Sequence, residues 1–471
     1  MYLGIDLGTG SVKLMLADRN GNTHVASAAY PIEAPRSGFA ETAPEKWIDA
    51  IRAALKKLPD VSSVRGIGFA GQMHGIVPLD EANQPSLGRA ILWADQRGGK
   101  YLGLMRELDD GIQARLLNAP APGMSATSLL WLKHEQPETY AKIRSILLPK
   151  DYIRFVMTGH KATDYSDASG SLLYDFKTRG WYGDAIRALG LDEAFLPPIL
   201  PGVSLAGTVS ASGAALFGLP EGIPVAVGGG DAPVGMFGSD LHLGNQIQIS
   251  VGTAAQISRP LPVDRQPAWN PALNVFEGIR TTDRYQVAAM LNAGIALEWV
   301  CRILKRDWTE IYAALKERDL SKKPDILFLP YLSGERTPYM NPDARGAWIG
   351  LGLHHTDMDL AFAALVGVAC TIRLGLETLG TDGVDTIKAV GGSLRHEYWR
   401  NLLASVIGHP ITIFEQTDIS AYGAVRIAAE MLNETICEKS DRPETYRGYD
   451  LPWIAEYFDT FKKAYSLFSR L

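Results

Sequence analysis

Residues 2–13 read Tyr2-Leu3-Gly4-Ile5-Asp6-Leu7-Gly8-Thr9-Gly10-Ser11-Val12-Lys13: an apolar run, a short polar turn, and the start of a second apolar run. Strand-like runs joined by a glycine-containing turn are the signature of a β-hairpin. Gly8 and Gly10 permit positive φ and leave the backbone open to a ligand. The turn can aim consecutive N–H groups, the Thr9 and Ser11 hydroxyls and the Lys13 ammonium at one anion. Asp6, at the end of the first run, offers a hard oxygen ligand of the kind Mg2+ takes. An ordinary hairpin with an aspartate at its mouth reads the same way, so this stretch alone leaves both readings open.

A second copy decides between them. Gln246–Ser258 reads Gln-Ile-Gln-Ile-Ser-Val-Gly-Thr-Ala-Ala-Gln-Ile-Ser, with Gly252-Thr253 placed as Gly8-Thr9 is, 244 residues further on. That offset is far longer than the repeat of a solenoid. It predicts a duplicated domain, one phosphate-type hairpin opening each half, with a polyphosphate gripped between them.

A chain of 471 residues is too long for one core and predicts two to three domains. Its 46% hydrophobic and 21% charged residues are ordinary for a globular protein. A formal charge of −6 excludes a nucleic-acid binder that works through a broad basic surface. Three widely spaced cysteines, Cys301, Cys370 and Cys437, give neither a disulfide framework nor a metal-ligand spacing, so a reducing cytoplasm is the expected compartment. The N-terminus enters a strand with no signal-peptide pattern, and no uninterrupted apolar run of about 18 residues suggests a membrane span.

After the first hairpin, an Asn-Gly turn leads to a third strand, Thr23–Tyr30. Pro44–Leu58 carries Trp47, Ile51, Ala54, Leu55 and Leu58 on one helical face. Arg65–Phe69 is a buried strand running into Gly71-Gln72-Met73-His74-Gly75. His74 therefore stands where open α/β sheets bind ligands, and reads either as a structural histidine or as a contact for sugar hydroxyls. Trp93 is either core or a flat wall for the C–H face of a sugar. Residues 100–220, with helices at Ser128–Lys133 and Pro137–Ile146, read as an insertion in the first domain. Pro224–Gly230 ends at Asp231, which reads as a helix N-cap, a general base, or both. Gly235 and Gly238 put small residues on one helix face, suited to close packing.

In the second half, strands are expected at Tyr285–Leu291, Leu327–Tyr331, Ile387–Val390 and Ile411–Phe414. Helices are expected at Gly294–Leu304, Leu360–Leu379, His396–Ile407 and Ser420–Met431. Gly391-Gly392 lets backbone approach a flat ring. The Glu335-Arg336 loop is a surface turn or a border of the cleft; the residues alone favour neither.

Together these segments resemble the FGGY carbohydrate kinases, within the actin and hexokinase class of ATP-binding folds. The likeness runs through Asp6–Lys13, Gly71–Gly75, Leu148-Pro149-Lys150-Asp151-Tyr152, Asp164–Gly170, Gly228–Asp231, Leu329–Pro338, and Gly391-Gly392 with Glu397-Tyr398-Trp399-Arg400. It covers essentially the whole chain and is nearest to members that phosphorylate D-xylulose. It implies an α/β fold of two ribonuclease-H-like domains, residues 1–240 for the sugar and 241–471 for the nucleotide. Mixed sheets flanked by helices would enclose a cleft between them. The implied reaction moves the γ-phosphoryl group of ATP, with Mg2+, to the terminal hydroxyl of a ketose, D-xylulose foremost. The implied partners are small molecules, with no nucleic acid and no membrane; a homodimer is compatible.

Carried onto matching positions, the resemblance makes Asp231 the catalytic base and a sugar contact, Asp6 the aspartate beside Mg2+, and Met73-His74 the sugar-contacting pair. Gly8, Thr9, Gly10, Ser11 and Lys13, with Gly252 and Thr253, form the two phosphate loops. Gly391 and Gly392 lie against adenine, bordered by Ser393 and His396. The chain also departs from the pattern. Ala232 follows the aspartate where asparagine is usual, Ser393 replaces a third glycine, Ala126-Thr127-Ser128 replaces Ala-Pro-Lys, and Gly10-Ser11 reverses the usual Ser-Gly. Loss of the amide at position 232 removes a sugar hydrogen bond and opens the substrate to another ketose or polyol, a heptulose for instance. From another class, a non-kinase ATP-driven protein of the actin and chaperone group would share the hairpins. It would have no need of a pocket with Met73, His74 and Trp93.

Overall fold

The computed structural model describes residues 1–241, 245–413, 418–437 and 443–468. In the first half, β1 (Tyr2–Leu7), β2 (Ser11–Ala17), β3 (Thr23–Ala29), β4 (Gly66–Gly71), β5 (Leu205–Thr208) and β6 (Pro224–Ala226) form one sheet in the order β5-β6-β4-β1-β2-β3. In the second, β7 (Gln246–Val251), β8 (Ala255–Pro260), β9 (Asn274–Glu277), β10 (Arg284–Met290), β11 (Thr386–Val390), β12 (Ile411–Ile413) and β13 (Glu444–Tyr446) form another, in the order β9-β10-β8-β7-β11-β12-β13.

Each sheet is mixed in the same way. β1 pairs antiparallel with β2 and parallel with β4, and β7 pairs antiparallel with β8 and parallel with β11. The run β3-β2-β1-β4-β6 therefore recurs as β10-β8-β7-β11-β12. The duplication expected from two Gly-Thr turns is a duplication of topology.

One face of β1 carries Leu3, Ile5 and Leu7 into a core with Trp47, Ile51 and Ala54 of helix α1 (Pro44–Leu55). α1 ends earlier than its apolar spacing predicts. Its last turn tightens, Lys57 and Leu58 donating to Ala54 and Leu55 at 3.0 and 3.1 Å. Burial of the leucines and isoleucines among these, at about 1.5–3 kcal/mol each, holds helix and sheet together.

Three more helices position the site. α2 (Asp231–Gly238) follows β6, and α3 (Asp357–Leu379), capped by a reciprocal Thr356–Asp359 pair, fills the core of the second lobe. Among the described residues α3 alone is long and apolar enough to cross a membrane by length and composition, and 83% of that window is buried inside the protein. α4 (Ile419–Met431) belongs to the second half of the sequence but lies on the first sheet. A Cβ on Gly4 would meet the Ala421 carbonyl at 2.4 Å, and one on Gly68 the Ala424 carbonyl at 1.9 Å. The glycine face expected on α2 meets this helix, since a Cβ on Gly238 would lie 2.5 Å from the Ile419 carbonyl. Arg280 clamps Glu430 through two bonds of 2.7 Å, fastening the end of α4.

Local differences from expectation have local causes. The helix from Pro137 stops at Lys142 because Ile143 turns extended and buried, and Ser145–Leu147 becomes a strand paired with Val77–Leu79. Leu205–Thr208, read as part of an insertion, is an edge of the main sheet. Phe414 lies outside the described residues.

Candidate active site

Of the two reasons expected for glycine in the first turn, positive φ is not the one found. Neither Gly8 nor Gly10 has positive φ. Gly10 instead leaves open space, since a Cβ there would meet nothing within 4 Å. The Gly8 carbonyl accepts from Gln72 Nε2 at 3.2 Å and from the Tyr30 hydroxyl. Trp93 is not core. It is 42% exposed and its Nε1 donates to Thr9 Oγ1 at 2.8 Å. With a lone pair occupied by the indole, the Thr9 hydroxyl has its own proton left to give. Lys13 is ion-paired with Asp418, at the head of α4, so its ammonium is shared with a carboxylate beside the turn.

Asp231 is the first residue of α2, with Gly230 as the N-cap, so the capping role falls to its neighbour. The pairing of Gly229–Gly230 with β4 delivers it to the same sheet end as the first turn. Its Oδ1 accepts from the Ala232 N–H at 2.8 Å, and burial pushes the carboxyl up to about 6. Asp6 is pushed up to about 7, by burial first and the Asp231 charge second, with Lys13 pulling the other way. Asp6 Oδ1 is buried without a hydrogen-bond partner. An orphaned buried carboxylate oxygen within reach of a second carboxylate's charge fits a hard divalent cation.

His74 sits at φ 71, and its Nδ1 lies 2.8 Å from the Gly170 carbonyl. A carbonyl only accepts, so Nδ1 carries the proton. Burial, the largest cause, drives the imidazole down to about 4, leaving it neutral with Nε2 as an acceptor. Gly170 admits the ring: a Cβ there would lie 2.9 Å from it. Met73 is buried with Met236, Phe276 and Val287, and Ala232 packs on that cluster.

Behind this, Lys150 is fully buried among Asp151, Asp164 and Asp167 at 2.6, 2.7 and 2.9 Å. Ser166, in the same network, accepts from the Gly230 N–H at 2.9 Å and so holds the backbone just before Asp231. Ser166, Gly170 and Phe276 were missed as site-forming residues. The first two lay inside a segment noted only for its resemblance, and Phe276 carries no local signal at all.

At the second turn Gly252 and Thr253 are exposed. Their carbonyls accept from the N–H groups of Gly294 and Ile295 at 3.0 and 2.9 Å, which seats the helix Gly294–Leu304 against the hairpin. Gly391, at φ 124, would place a Cβ 2.3 Å from the Val251 carbonyl, so its close approach is to the hairpin backbone. Gly392 faces open space, with nothing within 4 Å of a Cβ. The Ser393 hydroxyl donates to Val251 at 2.5 Å. His396 caps the helix Glu397–Ile407 and stacks on Tyr312 with ring centroids 4.0 Å apart.

Two lobes of one topology, each with a Gly-Thr hairpin at a sheet end, define a ribonuclease-H-like fold of the actin and hexokinase type. The chain belongs to the FGGY family of carbohydrate kinases: residues 1–238 match the family's N-terminal domain and residues 248–432 its C-terminal domain. It is 33% identical over 473 residues to the xylulose kinase of Escherichia coli (strain K12), covering 95% of each chain. A crystal structure of a "xyloylose kinase" from Brucella ovis matches with a TM-score of 0.89 at 31% identity, over 99% of this chain and 98% of that one. The gluconate kinase of Lactobacillus acidophilus matches at 0.87 with 22% identity, over 100% of this chain and 96% of that one, a likeness of fold alone. The protein is thus a carbohydrate kinase, a phosphotransferase acting on a sugar alcohol group with ATP as donor.

Proposed function

We propose that this kinase transfers the γ-phosphoryl group of ATP to the terminal hydroxyl of D-xylulose. The observation that carries the reading is Asp231, a carboxylate at the end of the first sheet lifted to about 6 by burial. A base poised near working pH is the efficient one. The attacking hydroxyl gives its proton to Asp231 as its bond to phosphorus forms. His74 accepts from a sugar hydroxyl through Nε2, with Met73 and Trp93 as the apolar walls. The turns Gly8–Ser11, with Lys13, and Gly252–Thr253 meet the phosphates from the two lobes, and their donors stabilise charge on the transferring group. Gly392 makes room for the adenine, with Gly391 setting the backbone beside it and Ser393 and His396 at the border. Asp6 would hold Mg2+, which neutralises charge on the phosphates when bound. In this reading residues 1–240 bind sugar and 241–471 nucleotide, and closing the lobes excludes water. The three free cysteines fit a cytoplasmic setting.

A second reading has one observation in its favour. Ala232 packs on the apolar cluster of Met73 and Phe276. The wall expected to bear an amide is therefore greasy, which suits another ketose or a polyol, a heptulose among them. An ADP-release screen across pentuloses, heptuloses, hexoses and polyols separates the two. D-xylulose is expected to give the highest kcat/KM. A tenfold preference for a heptulose or polyol selects the second reading, and no sugar-stimulated ADP release overturns both.

A further inference from the structure

One loop of the second lobe has no part in the reaction as proposed, though it is among the most firmly anchored. Glu335 is 2% exposed, and its carboxylate accepts from the Leu291 N–H at 2.6 Å, the Arg336 N–H at 2.8 Å and Asn292 Nδ2 at 3.3 Å. Thr337 exchanges two 3.0 Å bonds with Ala289, one through its N–H and one through its hydroxyl oxygen. That hydroxyl donates to the Ala272 carbonyl at 2.6 Å. Between these anchors Arg336 is exposed, and its guanidinium has no hydrogen-bond, ion-pair or ring partner among the described residues. A cation fixed at its root and unpaired at its tip is built to meet a ligand.

The anchors tell where it stands. Ala289 belongs to β10, whose Val287 and Tyr285 pack with Met73 and Phe276. The Phe276 ring lies 6.1 Å from that of His74. The Arg336 charge is felt at His74, where it adds to burial in keeping the imidazole neutral. Arg336 of the second lobe is thus near enough to His74 of the first for its charge to act on the imidazole. His74 presents an acceptor, whereas a guanidinium presents donors only. A donor beside an acceptor complements an α-hydroxy ketone: the ketone oxygen only accepts, and the neighbouring hydroxyl has a proton to donate.

We propose that Arg336 is a substrate-binding residue, donating to the carbonyl oxygen of an open-chain ketose whose adjacent hydroxyl donates to His74. This rests on the ketose-kinase reading. It makes ketone recognition the task of the second lobe, completed only when the lobes come together over the sugar.

The test is steady-state kinetics of the full chain, wild type, Arg336→Gln and Arg336→Lys. The substrates are D-xylulose, its C2-reduced polyols xylitol and D-arabinitol, and gluconate. Arg336→Gln is expected to raise KM for the ketose about 10- to 100-fold, the range of a charge-assisted hydrogen bond, and to change KM for the polyols less than threefold. The ketose preference then collapses, and Arg336→Lys restores part of it. A ketose-to-polyol preference unchanged in both variants overturns the assignment, as does a loss falling equally on ketose and polyol. A wild-type preference for gluconate that Arg336→Gln abolishes also overturns it, by reassigning the guanidinium to a carboxylate. A wild type silent on every sugar sinks the ketose reading itself. A wild type active on ketose with unaltered variants sinks only the role of Arg336.

Discussion

Gly423 is where the helix bearing the proposed base meets the helix that crosses from the second half of the chain. A Cβ at this position would lie 2.2 Å from the Val234 carbonyl and 2.7 Å from a Val234 methyl. Ordinary carbon contacts sit near 3.5 Å, so Gly423→Ala must push α2 and α4 apart by about 1 Å. Overpacking of this kind costs about 1–3 kcal/mol. Alanine's helix propensity offsets about 1 kcal/mol of that, leaving a net loss of about 0–2 kcal/mol in urea titration. The second consequence is catalytic. Asp231 opens α2, and a shift of about 1 Å at a reacting group costs about 100-fold, so kcat should fall 10- to 100-fold while KM for ATP moves little. A Gly423→Ala enzyme as stable as wild type, with kcat within twofold, would refute the claim that this glycine sets the helix separation and, through it, the base.

Asp231→Asn should lower kcat by about 100- to 10,000-fold, the scale of a lost general base, as read by ADP release. Because burial already disfavours the charged form, its melting temperature should hold or rise. For His74, burial holds the imidazole near 4 against an ordinary 6.5. The unfolded chain therefore takes the proton first, so this contribution to stability is complete above 6.5 and lost as pH falls towards 4. Urea midpoints from pH 7 to pH 4.5 should drop in wild type and drop less in His74→Gln; parallel slopes would contradict the assignment. Trp93→Phe removes the N–H held by Thr9. It should weaken ATP binding a few-fold, about 1 kcal/mol for one hydrogen bond, in nucleotide titrations.

What the sequence disclosed was what its local chemistry determines. Both hairpins and the helix Gly294–Leu304 declared themselves because turn residues and apolar spacing act within a dozen positions. The position of α4 did not, because its contacts with Gly4 and Gly68 join segments more than 350 residues apart. A signal existed: glycine inside a strand marks a close backbone approach, and Gly4 and Gly68 lie within β1 and β4. Gly8 and Gly10 were read for positive φ and for open backbone; neither has positive φ, and open space is found at Gly10, a distinction that needs the neighbours. Trp93 looked as much like core as like a wall until the Thr9 bond fixed its place. Arg336 stayed ambiguous for a related reason. Gly-Glu-Arg-Thr-Pro has the composition of any surface turn, and only the anchoring of Glu335 and Thr337 to β10 brings it to the cleft.

The proposed base is held from both halves of the chain at once. From the first, the Ser166 hydroxyl accepts from the Gly230 N–H, tying the turn to the buried Lys150 network. From the second, the Ser420 hydroxyl donates to the Asp231 carbonyl at 3.0 Å, and Gly423 admits the backbone of Val234. Asp418, two residues before Ser420, holds Lys13 of the first phosphate turn. One helix end thus touches the backbone of the base and the cation beside the phosphate turn. An anion that drew Lys13 away from Asp418 would loosen that helix end at the moment nucleotide arrives. The prediction is specific: Asp418→Asn should free Lys13 and tighten ATP binding by about two- to fivefold, the worth of a part-exposed ion pair, measured by nucleotide titration. Unchanged or weaker binding would mean that Asp418 positions Lys13 for the phosphates rather than competing with them.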